Sequence, residues 1–480
     1  MTAMPPPPAA FTWSEAQIGA RALSPVNDPV KLLAGGIALA DAAVVLFSSA
    51  AAYLLRHGPT AFPLEIAAIT LFATALTFNA MRLAGSYSRH ATAPAGVQIG
   101  RAAQGWSVVF VILVILGYLT KTADTYSRLW AIGWYVSALA GFALIRLLAA
   151  AQVRRWRRRG RLAQTVAIVD LAGSGGDLAR RLLRGAMGEV RLVGVFSPER
   201  SANRKNGLID LIALSRLFRI DEVLVAVAGR RDGVADAVVR KLGTIPTNVR
   251  LCPELPRMAV APRAAGLLFG QPVLTVYHRP LTGWSRIAKR AEDLLIASLA
   301  LILLAPLMAV ATLLIKLDSS GPVLFRQKRL GFNNNVITVF KFRTMTHQAV
   351  PQVDVPQARR NDPRITRVGT ILRRTSIDEL PQLLNVLKGE MSLVGPRPHA
   401  LAHNDQYSAL IDDYLGRHRV QPGITGWAQV NGLRGETETL DKMQRRVEHD
   451  LAYIDGWSLF LDLKILVLTA LLGVFDRNAY

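Results

Sequence analysis

The sequence predicts a membrane α plus α/β protein in three parts: a four-helix transmembrane bundle, a Rossmann-like parallel-sheet domain, and a monotopic C-terminal domain with a re-entrant membrane helix broken at Pro306. Three observations predict it. Four apolar runs, at about 31–55, 63–84, 105–121 and 129–151, fill the first third, and each approaches or exceeds the ~20 residues needed to cross a ~30 Å hydrocarbon core. Over 161–256 short apolar strands alternate with helical patterns, as in a parallel sheet. A fifth apolar run, 294–315, carries a proline mid-run and basic residues at both flanks.

In chain order, residues 1–28 read as a disordered tail. "MTAMPPPPAAFTWSEAQ" lacks the basic-then-apolar order of a cleavable signal and favours extended polyproline conformations. The bundle is expected over 29–152. Arg82 closes the second run, Arg89 and Arg101 lie between it and the third, and "VRRWRRRGR" (153–161) follows the fourth. The positive-inside rule therefore puts both termini of the bundle in the cytosol, in a bacterial inner membrane. Asp41, inside the first run, is either functional or held by a structural partner.

Residues 161–256 form the Rossmann-like domain. "TVAIVD" reads as a buried strand and "LAGSGGDLARRLLRGA" as a Gly-rich turn entering a helix. Gly173, Gly175 and Gly176 hint at a phosphate cradle, but the spacing is not G-x-G-x-x-G and no acidic residue clearly closes the second strand. A nucleotide site and a structural or regulatory module both stay open. Residues 257–285 read as a linker.

The fifth run is long enough to span, yet Pro306 removes a helical hydrogen bond. Lys289 and Arg290 precede it, and Lys316, Arg326, Lys328 and Arg329 follow. A spanning helix would leave one basic flank outside. A helix over 290–316 that enters one leaflet and returns avoids this, since each arm beside Pro306 is about half a bilayer long. An ordinary kinked span is the alternative.

Composition narrows the partners. Lys and Arg number 57 against 34 Asp and Glu, a formal charge of +23 on a chain that is 51% hydrophobic. This suits a membrane protein with basic cytosolic faces, not a nucleic-acid binder. The expected partners are membrane lipid headgroups and phosphate-bearing ligands. The single cysteine, Cys252, allows no intramolecular disulfide, and no Cys/His spacing suggests zinc.

The chemistry concentrates at 373–398, "RRTSIDELPQLLNVLKGEMSLVGPRP". Asp378 and Glu379 have a simple reading as a helix start, with Ser376 and Glu379 forming a capping box. Pro381 is compatible if the helix begins near Asp378. The surrounding cations suggest more: Lys341, Arg343, Arg359, Arg360, Arg364, Arg373, Arg374 and Arg397. A cap needs no such company, whereas transfer from a nucleoside diphosphate needs charge neutralised by Arg/Lys and a carboxylate-held divalent ion such as Mg2+. Neighbouring acids on a helix diverge by about 100°, so the two suit separate tasks, one attacking and one holding metal.

Residues 286–480 resemble the bacterial sugar transferase family of polyprenyl-phosphate hexose-1-phosphate transferases. The resemblance rests on "KRAED" (289–293), "GPVLFRQKRLG" (321–331), "FKFRTM" (340–345), the stretch 357–398, "VQPGITGWAQVNG" (420–432) and 434–466. The preceding bundle and Rossmann-like domain look like the large members. "RGETETLDKM" and "YIDGWSLFLDLKIL" liken it most to undecaprenyl-phosphate glucose phosphotransferases of exopolysaccharide biosynthesis. The resemblance makes 286–480 a monotopic catalytic domain with a ping-pong reaction. Asp378 would attack UDP-glucose, release UMP and pass the phosphosugar to undecaprenyl phosphate. Glu379 would associate with Mg2+, together with Asp378. Arg373 and Arg397 would bind phosphate, helped by Lys341, Arg343 and Arg364. A homodimer follows only by analogy.

Two positions depart from the family: Ala305 where serine usually precedes the break proline, and Leu433 where glucose-type relatives commonly carry tryptophan. UDP-galactose remains an alternative donor. Trp427 is either a sugar or uridine platform or part of a packed junction. Two further classes remain: a nucleotide-sugar dehydratase or epimerase using NAD, although no Tyr-x-x-x-Lys pair is present, and a non-enzymatic export scaffold.

Overall fold

The computed structural model describes residues 29–475 except 88–92, 123–125, 172, 186–189, 199–206, 218, 228–232, 254–265, 270, 347–361, 400–403, 405–406, 409, 412, 434 and 436–438. The expected tail, 1–28, lies outside the described residues, as do Arg89, Arg359 and Arg360 and most of the expected linker. The described chain forms two compact units. One holds 29–163 with 282–284, and the other 164–281 with 285–475.

The first unit is built from four long helices: α1 (Pro29–His57), α2 (Leu64–Leu83), α3 (Ala95–Leu119) and α4 (Arg128–Arg158). Each is long and apolar enough to cross a membrane. Their inward faces share a core in which Val45, Met81, Trp106, Trp134 and Phe142 are buried. Trp106 meets Trp134 edge-on, with ring centroids 5.4 Å apart. Close approach of α4 to α1 requires Gly141, since a Cβ there would stand 2.7 Å from Val44 Cγ1.

Asp41 has a structural partner. Both its oxygens accept from the Arg146 guanidinium, Oδ2 from Nη2 at 2.8 Å, and the Tyr87 hydroxyl donates to Oδ2 at 2.9 Å. Arg146 and Asp41 are each 1% exposed. Removing one partner strands the other's charge. Arg146→Leu is therefore expected to cost about 3–5 kcal/mol, read as a lower Tm in detergent. Asp41→Leu/Arg146→Leu should recover most of that loss.

The second unit begins with the α/β layer. Its sheet runs β2-β1-β3-β4-β6-β5, comprising β1 (Gln164–Asp170), β2 (Val190–Phe196), β3 (Glu222–Val227), β4 (Asn248–Pro253), β5 (Gly266–Leu268) and β6 (Gln271–Tyr277). The first four strands are parallel, and β6 pairs antiparallel with β4. The expected linker over 257–285 thus contributes two strands, because the alternating "QPVLTVY" can cover an otherwise open edge at β4. Along β1, Val166 and Ile168 pack with Leu178 and Leu182 of α5 (Gly175–Gly185). Ala167 and Val169 face the opposite core, with Leu211 of α6 (Leu208–Leu217) and Leu242 of α7 (Gly233–Leu242). Helices therefore cover both sheet faces. Gly175 serves this packing, as a Cβ there would lie 2.7 Å from Asp170 Cβ.

The remaining chain starts with α8 (Trp284–Asp318), a 35-residue helix. Pro306 lies inside it, where a break was expected, and helical turns continue on both sides, so the proline can only bend the helix. Proline removes one N–H, and the turns on either side keep their own bonds. Both ends are tied to the same folded body. Arg290 donates to Val386 O and Leu387 O at 2.6 and 2.8 Å, and Asp293 accepts from Ser392 Oγ and Leu393 N, each at 2.9 Å. At the other end Asp318 accepts from Val368 N at 3.1 Å, while Arg343 donates to Ser319 O at 2.6 Å.

Candidate active site

Lys341 lies on β8 (Val336–Phe342), which pairs antiparallel with β7 (Leu324–Leu330). After β8 the chain leads into α9 (Arg367–Arg374). Ser376 then adopts a left-handed φ of 58° and makes no side-chain cap, so the expected capping box does not form. Ile377–Glu379 is a single 3₁₀ turn, and Pro381 is the N-cap of α10 (Gln382–Lys388). The turn thereby releases both acids from capping duty. Asn385 locks α10 to β8, accepting from Phe340 N at 3.0 Å and donating to Thr338 O at 2.7 Å. The acid pair is thus held against the strand that carries Lys341.

Glu379 is clamped by two cations. Lys341 Nζ donates to Oε1 at 2.7 Å, and Arg397 donates to both oxygens, to Oε2 at 3.1 Å. Burial opposes its ionisation, but Arg397 and Lys341 together prevail and hold its carboxyl well below the usual range. Asp378 is different. Among the described residues its carboxylate accepts no hydrogen bond, and burial lifts its pKa to about 6, against the pull of Lys341 and with a further push from Glu379. One acid is therefore a fixed anion, and its neighbour is an unbonded carboxylate near neutrality. Perturbed neighbours of this kind mark functional sites.

Arg373 lies close enough for Asp378 to oppose the lowering of its pKa by burial, and its Nε donates to Thr344 Oγ1 at 2.9 Å. Two expected phosphate ligands are engaged elsewhere. Arg343 follows the end of β8 and caps α8 through Ile315 O, Ser319 O and Pro322 O. Its cationic fork satisfies the orphan carbonyls of a helix terminus. Arg364 is bound by Asp362, Nη2 to Oδ2 at 2.6 Å. Trp427 is half-buried among core residues, with Lys464 Nζ 5.3 Å from its ring centroid. That matches the packed junction.

Sequence reasoning missed Arg329 and the support behind Arg397. Arg329 donates to Pro398 O and to Gln327 Oε1. Burial and then Arg397 depress its pKa to about 10, while Glu379 opposes the change. Arg417 donates to Arg397 O, His399 Nδ1 and Asp450 Oδ2, each at 2.8 Å. The basic run at 321–331 contains Arg329, and its hydrogen bond to Pro398 O, next to Arg397, is what ties it to the site.

Among the described residues no group of three or more His, Cys, Asp or Glu could cage a metal. Mg2+ needs no such cage, because one or two carboxylates suffice alongside waters and substrate phosphates. The unbonded Asp378 carboxylate and the remaining lone pair of Glu379 Oε2 fit that requirement.

The turn that delivers the pair depends on Gly369. A Cβ there would lie 2.1 Å from Thr344 O, at the point where Thr344 positions Arg373. Gly369→Ala is expected to destabilise the protein by about 2 kcal/mol and to slow turnover, read by thermal unfolding and transfer rate. Wild-type values for both would refute this packing account.

Long apolar helices, an α/β domain and an acid pair walled by cations define a membrane-bound transferase. A family model described as bacterial sugar transferase matches residues 284–476, and one described as CoA-binding domain matches 82–253. Several relatives carry the name UDP-glucose:undecaprenyl-phosphate glucose-1-phosphate transferase. The Escherichia coli K12 protein is 38% identical over 381 residues, covering 78% of this chain and 82% of its own. That of Xanthomonas campestris is 35% identical over 455 residues, covering 92% and 93%. That of Caulobacter vibrioides is 54% identical over 192 residues, covering 40% and 72%. The chain belongs to the bacterial sugar transferase family, which sets aside the dehydratase and export-scaffold readings.

Proposed function

We propose that the protein transfers glucose-1-phosphate from UDP-glucose to undecaprenyl phosphate, releasing UMP and starting an exopolysaccharide repeat unit. The observation that carries this is the asymmetric pair, an unbonded Asp378 near neutrality beside a Glu379 clamped by Lys341 and Arg397. An Asp378 oxygen attacks the β-phosphorus of UDP-glucose. The bond to the oxygen bridging the two phosphates breaks, and UMP departs with that electron pair. The glucose phosphate remains on Asp378 as an acyl phosphate. A phosphate oxygen of undecaprenyl phosphate then attacks the same phosphorus and displaces Asp378, giving undecaprenyl-diphospho-glucose.

In this scheme Arg373 favours the ionised Asp378, and Arg397 and Lys341 fix Glu379 while adding positive charge beside the reacting phosphates. Asp378 and Glu379 are the residues that would hold Mg2+. Bound there, it would neutralise charge on the diphosphate.

The same proposal places α1–α4 across the inner membrane as a bundle, with both its termini and the catalytic domain cytosolic, and makes α8 re-entrant. Attachment of both ends of α8 to one body, through Asp293 and Asp318, supports return to the entry side. It argues against delivering the ends to opposite sides.

The test is a membrane assay with radiolabelled UDP-glucose and undecaprenyl phosphate, with and without Mg2+. Metal-dependent label in lipid and release of UMP are expected. Label from UDP-galactose instead would reassign the sugar and leave the chemistry standing. No transfer from either donor would refute the proposal.

A further inference from the structure

After α11 (Trp427–Val430) and α12 (Leu440–Asp455) comes α13 (Leu459–Phe475), apolar nearly all round, a character that ordinarily goes with burial on every side. Among the described residues, only one side is covered by protein. Leu461, Ile465 and Leu466 pack with Ala297 and Leu301 of α8, and Thr469 Oγ1 meets Thr425 Oγ1 at 2.7 Å. The opposite side presents Phe460, Leu463, Val467 and Leu471, with Phe460 78% exposed. Their spacings of three and four residues put them on one stripe. The neighbouring α8 is also exposed, at Leu295, Leu299 and Ile302.

A lipid leaflet fits this stripe. Lys289 Nζ of α8 lies 2.7 Å from Asp462 Oδ2 of α13, which registers the two helices at one level. Beyond it neither helix carries another charge after Asp293 and Lys464, through Ile315 and Phe475 respectively. Trp457, whose indole donates to Asp462, and Trp427, under Lys464, gather at the same level. Tryptophan and lysine are the residues that settle at headgroups. At 17 residues α13 is about 25 Å long, short of a ~30 Å hydrocarbon core, and it stays attached to the domain at Thr469.

We infer that α13 is a second membrane-inserted element, its outer stripe entering the same leaflet as the first arm of α8. This rests on the membrane seat proposed above for α8. The polar residues at its base then mark the headgroup level and set the depth of the catalytic domain.

Spin labels at single cysteines test it. The full-length protein would carry Phe460→Cys, Leu463→Cys, Val467→Cys or Leu471→Cys, in nanodiscs of phosphatidylethanolamine and phosphatidylglycerol. Ile302→Cys on α8 and Ile209→Cys on α6 serve as lipid and water references. Cys252 is buried, and unsubstituted protein taken through labelling gives the blank. All four positions lie on an exposed stripe, so substitution removes little packing. The expected result is that labels at Val467 and Leu471 collide more with oxygen than with a water-soluble nickel chelate, as at Ile302, while those at Phe460 and Leu463, beside Asp462 and Lys464, meet both quenchers. Nickel access at Val467 and Leu471 with Ile302 still in lipid would overturn the inference alone. Nickel access at Ile302 too would overturn the membrane seat as well. Exclusion of both quenchers, with spin–spin broadening between copies, would assign the stripe to a second copy of the chain and overturn the inference too.

Discussion

Asp378→Asn is expected to abolish transfer and, at neutral pH, to raise the stability of the folded protein. The wild-type carboxyl ordinarily titrates at 3.8 but is lifted to about 6, chiefly by burial, with Lys341 opposing and Glu379 adding to the rise. The native state thus binds this proton more tightly than the unfolded chain. The group's stabilising contribution is full below 3.8 and is lost as pH rises through about 6. That loss is roughly 1–3 kcal/mol. Asparagine carries no charge to bury, so the variant should unfold at higher temperature than wild type at pH 7.5, and the gap should close toward pH 4. Activity should fall by about 10⁴-fold or more, as for other lost nucleophiles. Wild-type turnover should decline as pH drops through about 6, where the attacking carboxylate gains a proton. Full activity in the variant would remove Asp378 from the mechanism. An inactive variant with unchanged stability would instead show that the buried charge is fully offset by its neighbours.

Arg397→Ala is expected to damage activity and stability together. Arg397 donates to both oxygens of Glu379, leaving Lys341 as the one other cation bonded there among the described residues. Truncation leaves a buried carboxylate with half its compensation, a loss of about 2–4 kcal/mol. It also removes a cation beside the transferring phosphoryl group, for which about 10³-fold in kcat/KM is a reasonable scale. Arg397→Lys keeps the charge without the two-pronged geometry and should recover stability more than rate. Adding Glu379→Gln to Arg397→Ala should restore the Tm without restoring transfer. If Arg397→Ala is stable and active, the clamp has no part in the reaction.

The broad architecture was legible because its signals are periodic. The four apolar runs became α1–α4, and the alternation after Arg161 became a two-faced sheet. Strand β6 escaped because it joins the sheet antiparallel, after a segment that breaks the strand–helix rhythm. At the site, the cluster of charge around Asp378 and Glu379 was visible in the sequence, but its wiring was not. Lys341 and Arg343 are two residues apart, a spacing that shares one face only within a strand. β8 ends between them at Phe342, so one reaches Glu379 and the other turns back to α8. Ser376 fits a capping box by spacing, yet its left-handed backbone forbids the geometry. Arg329 joins the site through its bond to Pro398 O, 69 positions later, a relation that no local window displays.

The ties at the first arm of α8 also have a chronology. Arg290 and Asp293 bond to Val386, Leu387, Ser392 and Leu393, partners 96 to 100 positions later in the chain. At ordinary elongation rates a ribosome needs about 5–20 s to cover that distance. Throughout that interval the nascent helix has no folded body to hold its ends together. On the re-entrant path proposed for it, its entry into the lipid would be chosen on what it carries itself, the basic flanks and Pro306, with the later ties sealing a decision already made during synthesis.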